Sequence, residues 1–238
     1  VPTEDKKRSQ QLRQYQARQV LHAHVAKRRG RDQVVWSLAA LGAVVVSSLS
    51  LWAYQSIGPG APETVVDASV SEFRSWSGEI AFDQSDLTIS LDGALAPQAV
   101  ANFVDLTQSG FYEGLSCHRL TTEGFFVLQC GDPLGMGFGG PGYFFGPLEN
   151  EPSDGVYPAG TIAMARAAGD AASMGSQFFL VYEDSVIPAD AAGGYTVFGQ
   201  ITSGLDQLVD AYVTEGVLEG ATDGIPVIVP IIESITIR

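Results

Sequence analysis

The amino-acid sequence predicts a mainly β domain, an antiparallel barrel closed on itself and capped by two α-helices, preceded by a single transmembrane α-helix. Three observations lead there. Beyond residue 76, short apolar runs recur between turn residues, the spacing of strands in an all-β fold. Two segments in that stretch have helical character instead. Residues 34–54 are 21 residues without a charge, and about 20 apolar residues span a bilayer core.

The first 33 residues differ in charge from everything after them. They hold nine of the 13 Lys and Arg residues against three acids, a net of +6; the remainder has four arginines against 24 acids, a net of −20. Residues 4–29 lack Gly and Pro and are rich in Gln, Arg, Lys and Ala, so 1–33 is predicted as a basic helical arm. Leu12, Tyr15, Val20, Leu21 and Val25 give it only a loose apolar stripe. Two readings stay open: a solvated arm that sets topology, or one lying on anionic headgroups, at roughly 1 kcal/mol per basic residue near the surface. A partner protein in the membrane is a third.

The segment 34–54 carries Trp36, Trp52 and Tyr54 near its ends, where aromatic rings favour the membrane interfaces. "KRRGR" at 27–31 precedes it, which places the N-terminus in the cytoplasm and the C-terminal domain outside. A signal peptide has a short basic region and an apolar core of about 7–15 residues. Here both are longer, so a single-pass cell-membrane anchor is expected, with the lipid bilayer as a partner. A domain at −20 repels polyanions, so no nucleic-acid partner is expected.

Residues 55–75, with Gly58, Pro59, Gly60 and Pro62, read as a linker, and 76–238 as the folded domain. "EIAFD" (79–83) and "LTISL" (87–91) alternate about turn residues and predict a hairpin. Pro97 opens a helix with Val100, Phe103 and Val104 on one face and Gly110 as its stop. "GTIAMAR" (160–166), "QFFLVYE" (177–183), "YTVFGQI" (195–201) and "IESITIR" (232–238) are strand-like, and "GLDQLVDAYV" (204–213) is the second helix.

Several chemistries find no support in this domain. It has one histidine, His118, and two cysteines, with no metal-ligand spacing, so no metal is expected. A Ser-His-Asp triad would have to use His118, and no G-x-S-x-G elbow is present. "GMGFGG" (135–140) has dinucleotide-loop spacing but leads into Pro141 rather than a helix, and reads as a flexible loop. Cys117 and Cys130 fall on what should be successive hairpin strands. A cross-strand disulfide is the preferred reading and two buried free thiols the alternative.

"FYEGLSCHRL" (111–120), "FFVLQCGDP" (125–133), "GTIAMARA" (160–167), "GSQFFLVY" (175–182) and "YTVFGQI" together resemble the cyclophilin-type peptidyl-prolyl cis-trans isomerases, over about residues 76–238. The resemblance implies an eight-stranded antiparallel barrel with a helix over each end, no cofactor, and proline-containing polypeptides as partners. It implies Arg119 and Gln129 as catalytic residues. Phe126, with Phe125 as the alternative, Val127, Phe179, Ile187 and Tyr195 are implied as substrate pocket, and the backbone of Ala165, Arg166 and Ala167 as the docking edge. The chain departs from the family's best-known members at five places. It has two more residues between Arg119 and Gln129, Val127 for a methionine, Arg166 for an asparagine, and Tyr195 for a histidine. Its 184–194 loop is longer and lacks a tryptophan.

The implied reaction rotates the bond before proline, against a barrier of about 18–20 kcal/mol set by amide resonance. An apolar pocket for the ring and a charged donor near the twisting nitrogen suffice. Two functions follow from the sequence. One is a membrane-anchored, extracytoplasmic isomerase assisting the folding of exported or membrane proteins. The other is an accessory binding subunit of a membrane protein complex.

Overall fold

The computed structural model describes residues 65–238, together with residues 42, 44–48 and 50, which are helical. The chain divides into two compact units, 1–62 and 63–238. The basic arm, most of the expected membrane segment and the start of the linker lie outside the described residues. Among the described residues no helix is long and apolar enough to cross a membrane.

The second unit is built on eleven short strands: β1 (Ser75–Phe82), β2 (Asp86–Asp92), β3 (Arg119–Thr121), β4 (Val127–Cys130), β5 (Val156–Tyr157), β6 (Thr161–Met164), β7 (Phe178–Val181), β8 (Ser185–Val186), β9 (Val197–Ser203), β10 (Asp223–Gly224) and β11 (Ile232–Ile237). Nine form one sheet, in the order β10-β3-β4-β7-β6-β9-β2-β1-β11, with every neighbouring pair antiparallel. β5 and β8 pair separately.

The sheet has nine strands rather than the eight expected, because two-residue β10 adds to β3. Its end strands, β10 and β11, are not neighbours. Isolated backbone bonds join the chain before β3 to the start of β11 instead: Gly114 N–H to Ile232 C=O, Cys117 N–H to Pro230 C=O, and Ile232 N–H to Leu115 C=O, at 2.8, 2.9 and 2.9 Å.

Alternation decides what each strand buries. In β2, Leu87, Ile89 and Leu91 are buried and the residues between them are not. Helix α1 (Pro97–Gln108) starts at Pro97, and its buried face includes Val100, Phe103 and Val104. Two of its first free N–H groups, on Gln98 and Ala99, donate to the Glu149 carboxylate at 3.0 Å each, a cap supplied from 50 residues away. Gly110 takes a left-handed φ of 74° after the helix, and Phe111 N–H bonds back to Leu106 C=O.

The second helix covers the predicted stretch, but not as one regular α-helix. α2 spans Leu205–Leu208 and widens over Val209–Val213, where Thr214 N–H reaches the Val209 carbonyl. Tyr212 there is fully buried, and its hydroxyl donates to Asp83 Oδ1 at the β1–β2 turn.

Both helices send side chains into one large core that includes Phe103, Phe178, Phe198, Leu208 and Tyr212. A smaller apolar cluster, with Val127, Tyr157, Ala163, Phe179, Val181 and Ile187, forms apart from it. β4, β6 and β7 feed both: Leu128, Ile162, Met164, Phe178 and Leu180 join the large core, and the residues between them join the small cluster. β6 and β7 are therefore buried on both faces, which explains their largely apolar sequences. Cys117 and Cys130, both fully buried in the large core, are joined by a disulfide.

Candidate functional site

The smaller cluster floors an open cavity of about 580 Å³. Sheet register assembles its centre. Arg119 on β3 lies opposite Gln129 on β4, Gln129 opposite Phe179 on β7, and Phe179 opposite Ala163 on β6. Directly paired residues share a face of the sheet, so three side chains from three strands line up across it on the cavity side. Val127, two residues before Gln129, falls on the same face.

Of the ten predicted functional residues, the cavity is lined by Arg119, Val127, Gln129, Ala165, Arg166, Phe179, Ile187 and Tyr195. Phe179 and Tyr195 meet edge to face, with ring centroids 5.4 Å apart. Ala167 sits beyond the end of β6 on an adjoining cavity of about 420 Å³.

Phe126 is not part of this site. It points the other way and packs edge-on against Tyr182 at 5.9 Å, while Phe125 takes the cavity position. Strand alternation is the reason: residues 129, 127 and 125 share a face, and 126 does not. The Thr121 hydroxyl fixes this turn by donating to Phe125 C=O at 2.7 Å and accepting from Val127 N–H at 3.1 Å.

Arg119 is held on two edges. Its Nε and Nη2 donate to the two carboxylate oxygens of Asp223, each at 2.7 Å, and Nη1 donates to Gln129 Oε1 at 3.2 Å. The Asp223 carboxylate raises the guanidinium's pKa and is itself held below the usual carboxylate range by those bonds. One N–H on each terminal nitrogen has no partner among the described residues. Gln129 passes the chain on, with Nε2 donating to Gln177 Oε1 at 2.8 Å, and Gln177 Nε2 donates to the Gly139 carbonyl at 2.8 Å.

Arg166 lines the same cavity but has no donor left for a ligand. Its five N–H groups go to Gly194 O, Ala167 O, Gly193 O and both oxygens of Asp190. Its side chain is 1% exposed. The guanidinium lies 4.8 Å from the Tyr195 ring centroid and ties the 184–194 loop to β6. The side chain is therefore a loop clamp, and its bonds hold Asp190 well below the usual carboxylate range.

A scan of family models matches residues 78–227 to the cyclophilin type peptidyl-prolyl cis-trans isomerase/CLD model. The chain belongs to the cyclophilin-type isomerase family. Over 157 residues it is 43% identical to the probable peptidyl-prolyl cis-trans isomerase B of Mycobacterium tuberculosis, covering 60% of this chain and 48% of that protein. It is 42% identical over 124 residues to peptidyl-prolyl cis-trans isomerase B of Bacillus subtilis, covering 52% of this chain and 81% of that one. The cyclophilin chain thus spans about half the length of the mycobacterial relatives, 48% and 56% of two of them. A crystal structure of a Cryptosporidium parvum cyclophilin in the presence of the dipeptide Ala-Pro matches with a TM-score of 0.57 and 30% identity, covering 68% of this chain and 98% of that one.

The motifs of this cyclophilin left unassigned three polar residues that bear on the site: Asp223 and His118 on the cavity and Gln177 on the adjoining one. Gln177 was within reach, since it sits in "GSQFF" two residues before Phe179 and alternation puts both on one face. Asp223 had no local signal; only the need of a lone guanidinium for a counter-ion pointed to some acid. His118 lines the cavity although it is 8% exposed, and neither ring nitrogen has a hydrogen-bond partner among the described residues.

Burial lowers the His118 pKa; Asp132 opposes this shift and Arg119 adds to it. A histidine depressed in the folded state binds more protons when unfolded, so stability falls as pH drops from above about 6.5 toward the folded pKa. Thermal melts at pH 8 and pH 5 are expected to differ less for His118→Gln than for the parent. An equal difference in both proteins would remove His118 as the source.

Proposed function

We propose that this chain is a membrane-anchored isomerase whose 76–238 domain, on the extracytoplasmic side, rotates the bond before proline in exported or membrane proteins. The observation that carries the reading is the row Arg119–Gln129–Phe179 at the centre of the cavity. Phe179, Val127, Phe125 and Ile187 offer an apolar seat for a proline ring. The Cryptosporidium relative was crystallised in the presence of Ala-Pro, which supports a prolyl ligand in this class of site.

Arg119 supplies the chemistry. As the amide twists, resonance is lost and the nitrogen lone pair becomes an acceptor that the planar amide does not offer. A permanently charged donor that interacts more strongly with the twisted amide than the planar one lowers the barrier. No bond breaks, so the other groups need only hold the ring and the guanidinium. The two unpartnered N–H groups of Arg119 favour catalysis over the role of an accessory binding subunit.

Anchoring rests on the uncharged 34–54 segment behind "KRRGR", and the outward placement on that charge asymmetry. One experiment addresses both parts: turnover of a membrane-impermeant proline peptide by the full chain in sealed vesicles of known orientation. Activity from the extracytoplasmic face alone is expected. No turnover in opened vesicles would end the isomerase reading, and turnover from the cytoplasmic face alone would end the topology.

The acidic domain also predicts a preference among substrates. Peptides with Lys or Arg flanking the proline are expected to show higher kcat/KM than Glu-flanked ones at low salt, converging as salt is raised. A salt-independent ratio would show that the domain's charge does not steer substrate.

A further inference from the structure

We propose that Asp223 is a positioning residue that sets the orientation of the Arg119 guanidinium for isomerisation. The proposal rests on the isomerase reading of the site and adds a residue that its motifs do not contain.

The placement of Asp223 follows from register. β10 pairs with β3 so that Asp223 is opposite Thr121 and Gly224 opposite Leu120. Thr121 and Arg119 are two apart on β3, so Asp223 is a diagonal cross-strand neighbour of Arg119 on the same face, within reach of a long side chain. The carboxylate meets Nε and Nη2 at 2.7 Å each, a two-bond fork that fixes the plane of the guanidinium as well as its position. A single-point contact would leave that plane free to rotate.

The segment carrying Asp223 is itself tied down. Leu218 N–H donates to Ile225 C=O and Val227 N–H to Gly216 C=O, both at 2.9 Å. Ile225, two residues on, lines the cavity beside Arg119. The loop between α2 and β11 thus presents both an apolar wall and the counter-ion of the catalytic cation.

Asp223 and Gln129 bind different edges of one planar group, and between them they use three of its five N–H groups. The two that remain are fixed in direction by the three that are bound. Arg119 is also partly exposed, with 37% of its side-chain surface accessible, so Gln129 alone would leave a long flexible side chain with several orientations. Asp223 removes that freedom before substrate arrives, and the effect belongs in kcat rather than in substrate affinity.

The test compares parent, Asp223→Asn, Asp223→Glu and Asp223→Ala in the 238-residue chain with one proline peptide, measuring kcat and KM separately. Asp223→Asn is expected to lower kcat by about tenfold, short of the ~100-fold that a 1 Å misplacement can cost, with KM nearly unchanged. Asp223→Glu should recover part of that loss. Added formate should raise the kcat of Asp223→Ala saturably and leave Arg119→Ala unaffected, a response that a purely structural aspartate would not give. Parental kcat in Asp223→Asn, or a loss confined to KM, would overturn the proposal while the isomerase reading stood. Should Asp223→Asn fail to fold, the Glu variant and formate rescue decide: parental kcat in the Glu variant with no formate response overturns the positioning role. No turnover by the parent would overturn both readings.

Discussion

Arg119→Ala is expected to reduce kcat/KM for proline isomerisation by about 10²–10³-fold, the usual cost of losing one donor aimed at developing charge. The fold should survive, because the guanidinium lies on the cavity side of β3 while Leu120 and the Cys117–Cys130 disulfide face the main core. Arg119→Lys should recover little. An ammonium can pair with Asp223, but it lacks the planar fork that reaches Asp223 and Gln129 at once and still leaves directed donors. A protease-coupled or NMR exchange assay on the same peptide checks both variants, alongside a thermal melt. Turnover within twofold of the parent in Arg119→Ala would remove the guanidinium from the mechanism.

The second large effect concerns stability. Replacing both cysteines, as Cys117→Ala with Cys130→Ala, is expected to cost about 3 kcal/mol, because the bond, between residues separated by 13 in sequence, closes a loop in the unfolded chain. For a domain of this size that corresponds to a Tm lower by about 6–12 °C. Activity should suffer as well. Cys117 lies two residues before Arg119, and Cys130 directly follows Gln129. The bond therefore ties the chain entering β3 to β4 beside the point where Arg119 and Gln129 pair. A Tm unchanged by the double replacement would show that the hairpin is held by its backbone ladder and core packing alone.

Much of the site was legible through the family motifs, which carry Arg119, Gln129, Val127 and Phe179; strand alternation explains why these residues meet. Once 119–121 and 127–130 are paired as antiparallel strands, register and period two put Arg119 with Gln129 and Val127, and Leu120 with the core. The same rule, applied back from Gln129, selects Phe125 over Phe126; counting positions against a family pattern across a turn of different length does not. The start of α1 at Pro97 and its stop at Gly110 were legible for an equally local reason, since both depend on backbone chemistry at one residue.

Long-range partners were not legible. Asp223 is 104 residues from Arg119, Glu149 is 50 from the helix end it caps, and Asp190 is 24 from Arg166. A sequence with this many acids offers no means of choosing among them. The role of the Arg166 side chain was hidden in the same way, because its bonds to the carbonyls of Gly193 and Gly194 depend on how the long loop folds back. The widening of the second helix over Val209–Val213 was not legible either; Tyr212 lies in that turn, and its hydroxyl meets Asp83.

The line of residues running across β3, β4 and β7 has a consequence for how function could be lost or moved. Each strand contributes a single central member of the row, so no continuous stretch of chain holds the whole arrangement. A peptide excised from 117–132 would keep Arg119 and Gln129 but have no floor. A one-residue slip in any of the three strands would turn its member from the cavity toward the core. On the proposed function, isomerase turnover would double as a measure of strand alignment: it should vanish under any condition that loosens the ladder, even while the chain stays compact and its strand content is preserved.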